Sequence, residues 1–297
     1  MSDPTITPLS SSFAARVERV DVRRPLTEDV VSLIEHGMDS YAVLVFGDQK
    51  IGDGEQLAFS RNFGSIEPAT GGNVTRHDQR RLNVDFADVS NLDENQQIYA
   101  RDDRRRLFNL GNRLWHSDSS YRVIPAKYSL LSARRLSPNG PNTEFADMRA
   151  AYDALDQQTK DEVATLVCEH SLIYSRNLLG FNDFTEEELQ TFAPVCQALV
   201  RSHPVTARKS LFLASHAGTI IGWPMPEARI FLQDLIEHAT QPKFVYVHHW
   251  NVHDLVMWDN RQTMHRVRQS NETEGHRDVR RTTIAGDGPT TPQARRR

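Results

Sequence analysis

Cysteine and lysine are the scarce residues of this 297-residue chain. Its two cysteines, Cys168 and Cys196, are separated by 27 residues and form no CxxC pair. That excludes a zinc site built from cysteine and a disulfide-stapled secreted scaffold, and it fits a reducing compartment. No run of 18 apolar residues occurs, so no transmembrane helix is expected, and the N-terminus lacks a basic-then-apolar signal pattern. Charge of one sign is also lacking. The 35 basic and 39 acidic residues leave −4, too small an imbalance to advertise nucleic acid or an anionic membrane as partner. These absences leave a cytoplasmic enzyme or a cytoplasmic binding protein.

What is present is unevenly chosen. The basic residues are 30 Arg and 5 Lys, and there are 12 His. Guanidinium suits two-point recognition of carboxylates and imidazole is the commonest metal ligand, so the skew suggests small-anion and metal chemistry. For most of the arginines a codon bias and a solvated surface are the simpler account.

Periodicity predicts an amphipathic helix over 27–40 with Thr27 as N-cap, a strand over 41–46 (YAVLVF), and a second helix over 54–63 capped by Asp53 with Gln56. Segment 65–106 is polar and without sustained period. It reads as a long loop with one strand at 82–88, and loops of that length are usually functional, which makes it a candidate lid. Strand-like stretches follow over 112–133. Helices are expected from Met148, over 156–168, 185–192 and 227–240, and strands over 210–214, 244–250, 254–259 and 276–286. No repeat and no linker divides the chain. The expectation is one sheet-based domain over residues 1–286, with a flexible tail over 287–297.

The chemistry concentrates in three places. In WHSD (115–118), positions i and i+2 of an extended strand share a face, so His116 and Asp118 can converge on one metal while Ser117 points away. Alone, an HxD triplet is as well read as a surface loop. His265, in WDNRQTMHR, would complete two imidazoles and one carboxylate on one face of a metal, the arrangement suited to non-haem Fe(II) with open positions. Such a ligand set also binds Zn²⁺, so a zinc hydrolase stays open. Downstream, alternation in HRDVRRTTIAG (276–286) puts Arg277, Val279 and Arg281 on one face and His276 and Arg280 on the other. Two guanidiniums beside a metal call for two small carboxylates to neutralise them; a solvated basic edge strand is the bland reading.

Taken with Thr143, separated from Asp118 by 24 intervening residues, and with 121 intervening residues from there to His265 and 11 more to Arg277, this set resembles the signature of the Fe(II)/2-oxoglutarate dioxygenases of the taurine and 2,4-dichlorophenoxyacetate dioxygenase family. NRLWHSDSS, NTEFADMRAAYDAL, EHATQPKFVYVHHWNVHDLVMWDNR and RRTTIAGD resemble the phenoxyacetate herbicide dioxygenases in particular, and the likeness runs from about Phe13 to Gly286. The resemblance implies a mainly β fold with helical insertions, a double-stranded β-helix or cupin-like jelly-roll barrel flanked by α-helices. It implies His116, Asp118 and His265 as ligands of Fe(II), with 2-oxoglutarate and O2 as cosubstrates. Arg277 and Thr143 would hold the distal carboxylate of 2-oxoglutarate, with Asn112 near it. Arg281 would bind the anion of the primary substrate; the stretch from His265 to Arg277 is one residue longer than in the relatives, which keeps Arg280 as its rival. Homo-oligomers are usual in the family.

The implied reaction hydroxylates a small carboxylate substrate. An aryloxyalkanoate would be cleaved to a phenol and an oxo acid, with succinate and CO2 released; a sulfonate or a natural aromatic carboxylic acid is the alternative. The herbicide enzymes carry lysines in the loop before WHSD, whereas residues 65–112 here contain none. His203 and His216 match histidines of the relatives. His216 could face substrate, although a hydrogen-bonded structural role fits either. His248 and His249 read as packing residues, and Tyr121 and Phe181 could wall an aromatic ring. A non-catalytic carboxylate-binding protein is the third class, against which stand the complete ligand set and both arginines.

Overall fold

Residues 43–46 (VLVF) and 255–258 (LVMW) are apolar at every position, a pattern that suits a strand buried on both faces. The computed structural model, which describes residues 3–9, 13–137, 140–268 and 275–292, shows how both faces are covered. The largest sheet among the described residues runs in the order Thr5–Pro8, Ala14–Glu18, Val43–Phe46, Leu255–Asp259, Tyr128–Arg135, Asp278–Thr283, Ala87–Asp88. Its pairings are antiparallel except between Ala14–Glu18 and Val43–Phe46, which run parallel.

Alternation sends Leu44, Phe46, Leu255 and Met257 to one face, where Ile34 and Met38 of helix Glu28–Tyr41 and Phe59 of helix Asp53–Arg61 cover them. Val43, Val45, Val256 and Trp258 point the other way, toward Phe145 and Tyr246 of a second sheet. That sheet orders Val245–His248, Thr143–Asp147 and Thr263–Val267. Phe145 meets Trp258 at 5.5 Å between ring centroids. On its outer side Ala146 and Met264 pack under Leu232 and Leu235 of helix Met225–Ala239. The result is helix, sheet, sheet, helix, a mainly β architecture in which each large buried side chain contributes on the order of 1.5–3 kcal/mol.

Several expected boundaries move, each for a local reason. Thr27 occupies the cap position of the first helix without a side-chain bond, and Ala42 ends the helix in the left-handed region (φ 59°), which shortens the strand to Val43–Phe46. In the second helix Gly52, not Asp53, is the cap: its N–H donates to Glu55 at 2.6 Å, while Asp53 is drawn into an ion pair with Arg280. The helix expected over 156–168 stops at Val163, because Val167–His170 pairs with Val195–Ala198 and Ala217–Ile220.

Segment 65–106 is more ordered than a bare loop. The expected strand at 82–88 contracts to Ala87–Asp88, since the Asn83 side chain accepts from Asp85 N–H at 3.2 Å and holds a turn ahead of it. Arg81, its side chain 3% exposed, reaches both Asp88 and Asp278, and Asp103 caps an unexpected helix, Arg104–Asn109. At the other end, Asp287 pairs with Arg261 at 3.0 Å and the Thr290 hydroxyl donates to Gln197 at 2.6 Å, so the first part of the expected tail is tied to the body. Residues 293–297 of that tail, and residues 269–274 within the stretch from His265 to Arg277, lie outside the described residues.

Candidate active site

WHSD is not part of a named strand. His116 forms an isolated bridge with His265, exchanging backbone bonds of 3.0 and 2.8 Å, and that bridge ties the two histidines together at the edge of the second sheet. Asp118 begins a turn in which Ser119 takes a positive φ of 55°. Ser117 points away from both, its hydroxyl donating to Thr263 O at 2.9 Å, as the alternation argument requires.

The nearest oxygens of Asp118 lie 3.9 Å from His116 Nε2 and 3.8 Å from His265 Nε2, and the histidine rings are 4.2 Å apart. One ligand atom from each of the three buried residues falls within 4.8 Å of the others, and no other such group exists among the described residues. The donor chemistry fits a divalent transition metal. Burial holds both imidazoles below their ordinary pKa, His265 well below, so both are neutral at pH 7 with lone pairs available. His116 Nδ1 lies 2.7 Å from Leu114 O and donates to it, which leaves Nε2 unprotonated toward Asp118. Burial opposes ionisation of Asp118, but Arg281, the two neighbouring imidazoles and the Ser129 hydrogen bond together outweigh it and keep the carboxyl below its ordinary range. The Ser129 hydroxyl donates to Asp118 at 2.7 Å; Asn260 donates to Ser129 and accepts from Trp258 Nε1 and from Asp118 N–H. This network fixes the carboxylate from behind.

Two chambers meet at this cluster. The first brings Asn112, Thr143 and Arg277 together with His116, His265 and Arg281. The Thr143 hydroxyl accepts the indole N–H of Trp250 at 2.9 Å, and Arg277 donates to Val89 O at 2.6 Å. The second is walled by Tyr121, Arg176 and His216 and shares Asn112, His116 and Arg281 with the first. Residues 72–73 and 87–89 of the expected lid segment line it. Arg281 pairs with Asp118 through a short hydrogen bond.

The strand Asp278–Thr283 separates the rival arginines. Arg280 turns to the opposite face, where it binds Asp53 at 2.7 Å and Asp278 at 2.8 Å. His216 does face the second chamber, edge-on to His116 and Tyr121 and 2.9 Å from Ser175 Oγ. His203 lies elsewhere, in a buried cluster with Asp259 at 3.3 Å, and His249 is exposed rather than packed. Phe181 packs on Phe108 and Phe184 and does not line the chamber.

Sequence reasoning passed over Trp250, Ser129, Asn260 and Arg176. Trp250 and Asn260 fall inside the family-like stretch 237–261 without a role marked for them, and each of the four acquires meaning only through a neighbour distant in sequence.

Comparison with known proteins agrees with this geometry. Residues 5–283 match the family model described as "Taurine catabolism dioxygenase TauD, TfdA family". The chain is 44% identical to the alpha-ketoglutarate-dependent 2,4-dichlorophenoxyacetate dioxygenase of Cupriavidus pinatubonensis, over 94% of this chain and 97% of that one. It is 35% identical to the (S)-phenoxypropionate/alpha-ketoglutarate-dioxygenase of Sphingobium herbicidovorans, over 95% of each. Among solved structures it resembles AAD-2 in complex with Mn(II) and N-oxalylglycine, with a TM-score of 0.95, 58% identity, and 98% and 100% of the two chains covered. Family match, relatives and buried His–Asp–His cluster converge: the chain belongs to the TauD/TfdA dioxygenase family.

Proposed function

We propose that the protein is an Fe(II)- and 2-oxoglutarate-dependent dioxygenase that hydroxylates an aryloxyalkanoate beside its ether oxygen. The observation that carries this reading is the placement of His116, Asp118 and His265 where two chambers meet, each chamber holding an arginine. When bound, Fe(II) would supply the oxidative chemistry: 2-oxoglutarate and O2 are consumed, succinate and CO2 leave, and one oxygen atom enters a substrate C–H bond.

The protein's own part is positional. His116, Asp118 and His265 would hold the metal by three groups on one side, leaving the opposite side for cosubstrate. Arg277 and the Thr143 hydroxyl would bind the distal carboxylate of 2-oxoglutarate, with Asn112 beside it. The Trp250 N–H occupies a lone pair of Thr143 Oγ1, so the threonine proton is left to donate into the chamber. Arg281 would leave Asp118 to the metal and pair instead with the substrate carboxylate, holding the carbon next to it at the reacting position. Hydroxylation there gives a hemiacetal, which collapses to a phenol and an oxo acid.

Three further readings belong to this proposal. The two facing sheets are read as the jelly-roll barrel of the family, and residues 1–286 as one domain. The partner is a small carboxylate. The location is cytoplasmic, with Cys168 and Cys196 buried and in no disulfide. A zinc hydrolase would leave the Thr143 and Arg277 chamber without purpose.

Anaerobic addition of Fe(II) and 2-oxoglutarate tests the metal site. A weak visible charge-transfer band is expected, lost in His116→Ala, and its absence from the wild type would sink the reading. Succinate release across phenoxyacetates, phenoxypropionates and alkylsulfonates tests the substrate; turnover of sulfonates alone would replace the aryloxyalkanoate.

A further inference from the structure

Arg176 is the cation that the proposed reaction does not use. It sits on the short helix Leu172–Asn177, with the residue 4% exposed, and walls the second chamber. Its guanidinium lies over the Phe108 ring, 4.2 Å from the centroid, and against the backbone of Gly111, where an added Cβ would come within 2.4 Å of Cζ. One nitrogen donates to Ser175 Oγ at 3.0 Å, and Nε is buried with no partner. Among the described residues no carboxylate pairs with it. The acids that line the chamber are already engaged, Asp88 by Arg81 and Asp118 by Arg281, and Glu67 nearby pairs with Arg122. Burial lowers its pKa only to about 10, so it is charged at neutral pH.

A buried, charged guanidinium is costly without an anion or strong acceptor beside it. The other charges of the site balance without Arg176: a divalent metal, Arg277 and Arg281 are matched by Asp118, the two carboxylates of 2-oxoglutarate and the substrate carboxylate. His216 brings no negative charge to neutralise it. Arg176 is therefore left facing whatever part of the substrate lies away from Arg281.

We propose that Arg176 is a specificity-determining residue, which binds a second anionic or strongly accepting group on the substrate's ring. This deepens the function proposed above and rests on it for the ring, while the charge argument needs only an anion in the chamber. The preferred substrates are aryloxyalkanoates with a ring carboxylate, nitro or similar acceptor group.

The test compares binding in an inert complex, the protein loaded with Mn(II) and N-oxalylglycine, by calorimetry. Phenoxyacetate is set against 3- and 4-carboxyphenoxyacetate, and benzoate against terephthalate. The wild type is expected to bind the ring-carboxylated member of each pair at least as tightly as its parent. Arg176→Met should lower that ratio of affinities tenfold or more, Arg176→Lys should restore most of it, and Gly111→Ala should lower it with the arginine retained but displaced. Gly111→Ala and Arg176→Lys decide the matter should Arg176→Met fail to fold. An unchanged ratio, or equal losses for parent and carboxylated ligand, overturns the proposal, as does a wild type that excludes the second carboxylate in both series. Preference for terephthalate without binding or turnover of any phenoxyacetate would keep the role of Arg176 and remove the aryloxyalkanoate.

Discussion

Trp250 donates its indole N–H to the Thr143 hydroxyl at 2.9 Å, joining the end of one strand to the start of its neighbour at the mouth of the first chamber. The bond decides which way the threonine proton points. Trp250→Phe keeps the ring and removes the donor, so Thr143 becomes free to turn its hydroxyl elsewhere. The expected result is a rise of about tenfold in the KM for 2-oxoglutarate, the scale of one neutral hydrogen bond, with Fe(II) affinity changed far less. A KM equal to wild type would show that Thr143 needs no orientation.

Arg277 and Arg281 should fail in different ways. Arg277→Ala breaks a charge-assisted pair and is expected to raise the 2-oxoglutarate requirement by about two orders of magnitude. Arg281→Ala should weaken the primary substrate and leave 2-oxoglutarate consumption uncoupled from product. Measuring succinate and phenol side by side separates the two, and the same defect in both variants would refute the division of roles.

Ser129 and Asn260 would act on a metal held here only through Asp118. Ser129→Ala removes the 2.7 Å donor to the carboxylate, and Asn260→Leu removes the group that holds both Ser129 and the Asp118 backbone. Outer partners of metal ligands commonly matter by about 10–100-fold in affinity. Weaker Fe(II) binding by that factor is expected in competition with a chromogenic chelator, while the KM for the organic substrate at saturating iron moves little.

His170 supplies a pH dependence of stability away from the metal. It is fully buried, stacked on Phe212 with both ring nitrogens unpartnered, and burial lowers its pKa to about 3. The unfolded chain takes up a proton near the ordinary value of about 6.5 while the native ring stays neutral. Below that value the unfolded state binds more protons, so stability falls with pH until about pH 3 and levels off there. Each unit inside the window costs about 1.4 kcal/mol. Denaturant midpoints at pH 7.5 and 5.5 should converge in His170→Phe relative to wild type; equal pH slopes in the two proteins would contradict this.

The sequence carried the site further than the fold. His116, Asp118, Thr143, His265, Arg277 and Arg281 were legible because spacing and a family resemblance mark them, and alternation alone placed Arg280 on the face away from Arg281. The apolar runs at 41–46 and 254–259 likewise announced strands, while the cover on both of their faces came only with the structure. What escaped depends on contacts between distant residues. Trp250 reads as one more aromatic until Thr143 lies beside it, and Arg176 as a surface arginine until Phe108 and Gly111 enclose it. The lid segment looked formless because its order comes from the Arg81 ion pairs to Asp88 and Asp278, which no local period encodes.

The strand Asp278–Thr283 has a consequence for how the enzyme can change. Arg281 faces Asp118 and the paired histidines while Arg280, one position before it, is clasped by Asp53 and Asp278, and Arg81 anchors the same strand to residues 87–88. Because side chains alternate, sliding the strand by one position would put Arg280 in the chamber and expose Arg281. Insertions and deletions there would destroy anion recognition outright, whereas replacements along the walls of the second chamber leave it standing. Descendants of this chain that acquire new substrates should therefore differ around Tyr121, Arg176 and His216, and keep the length of this strand.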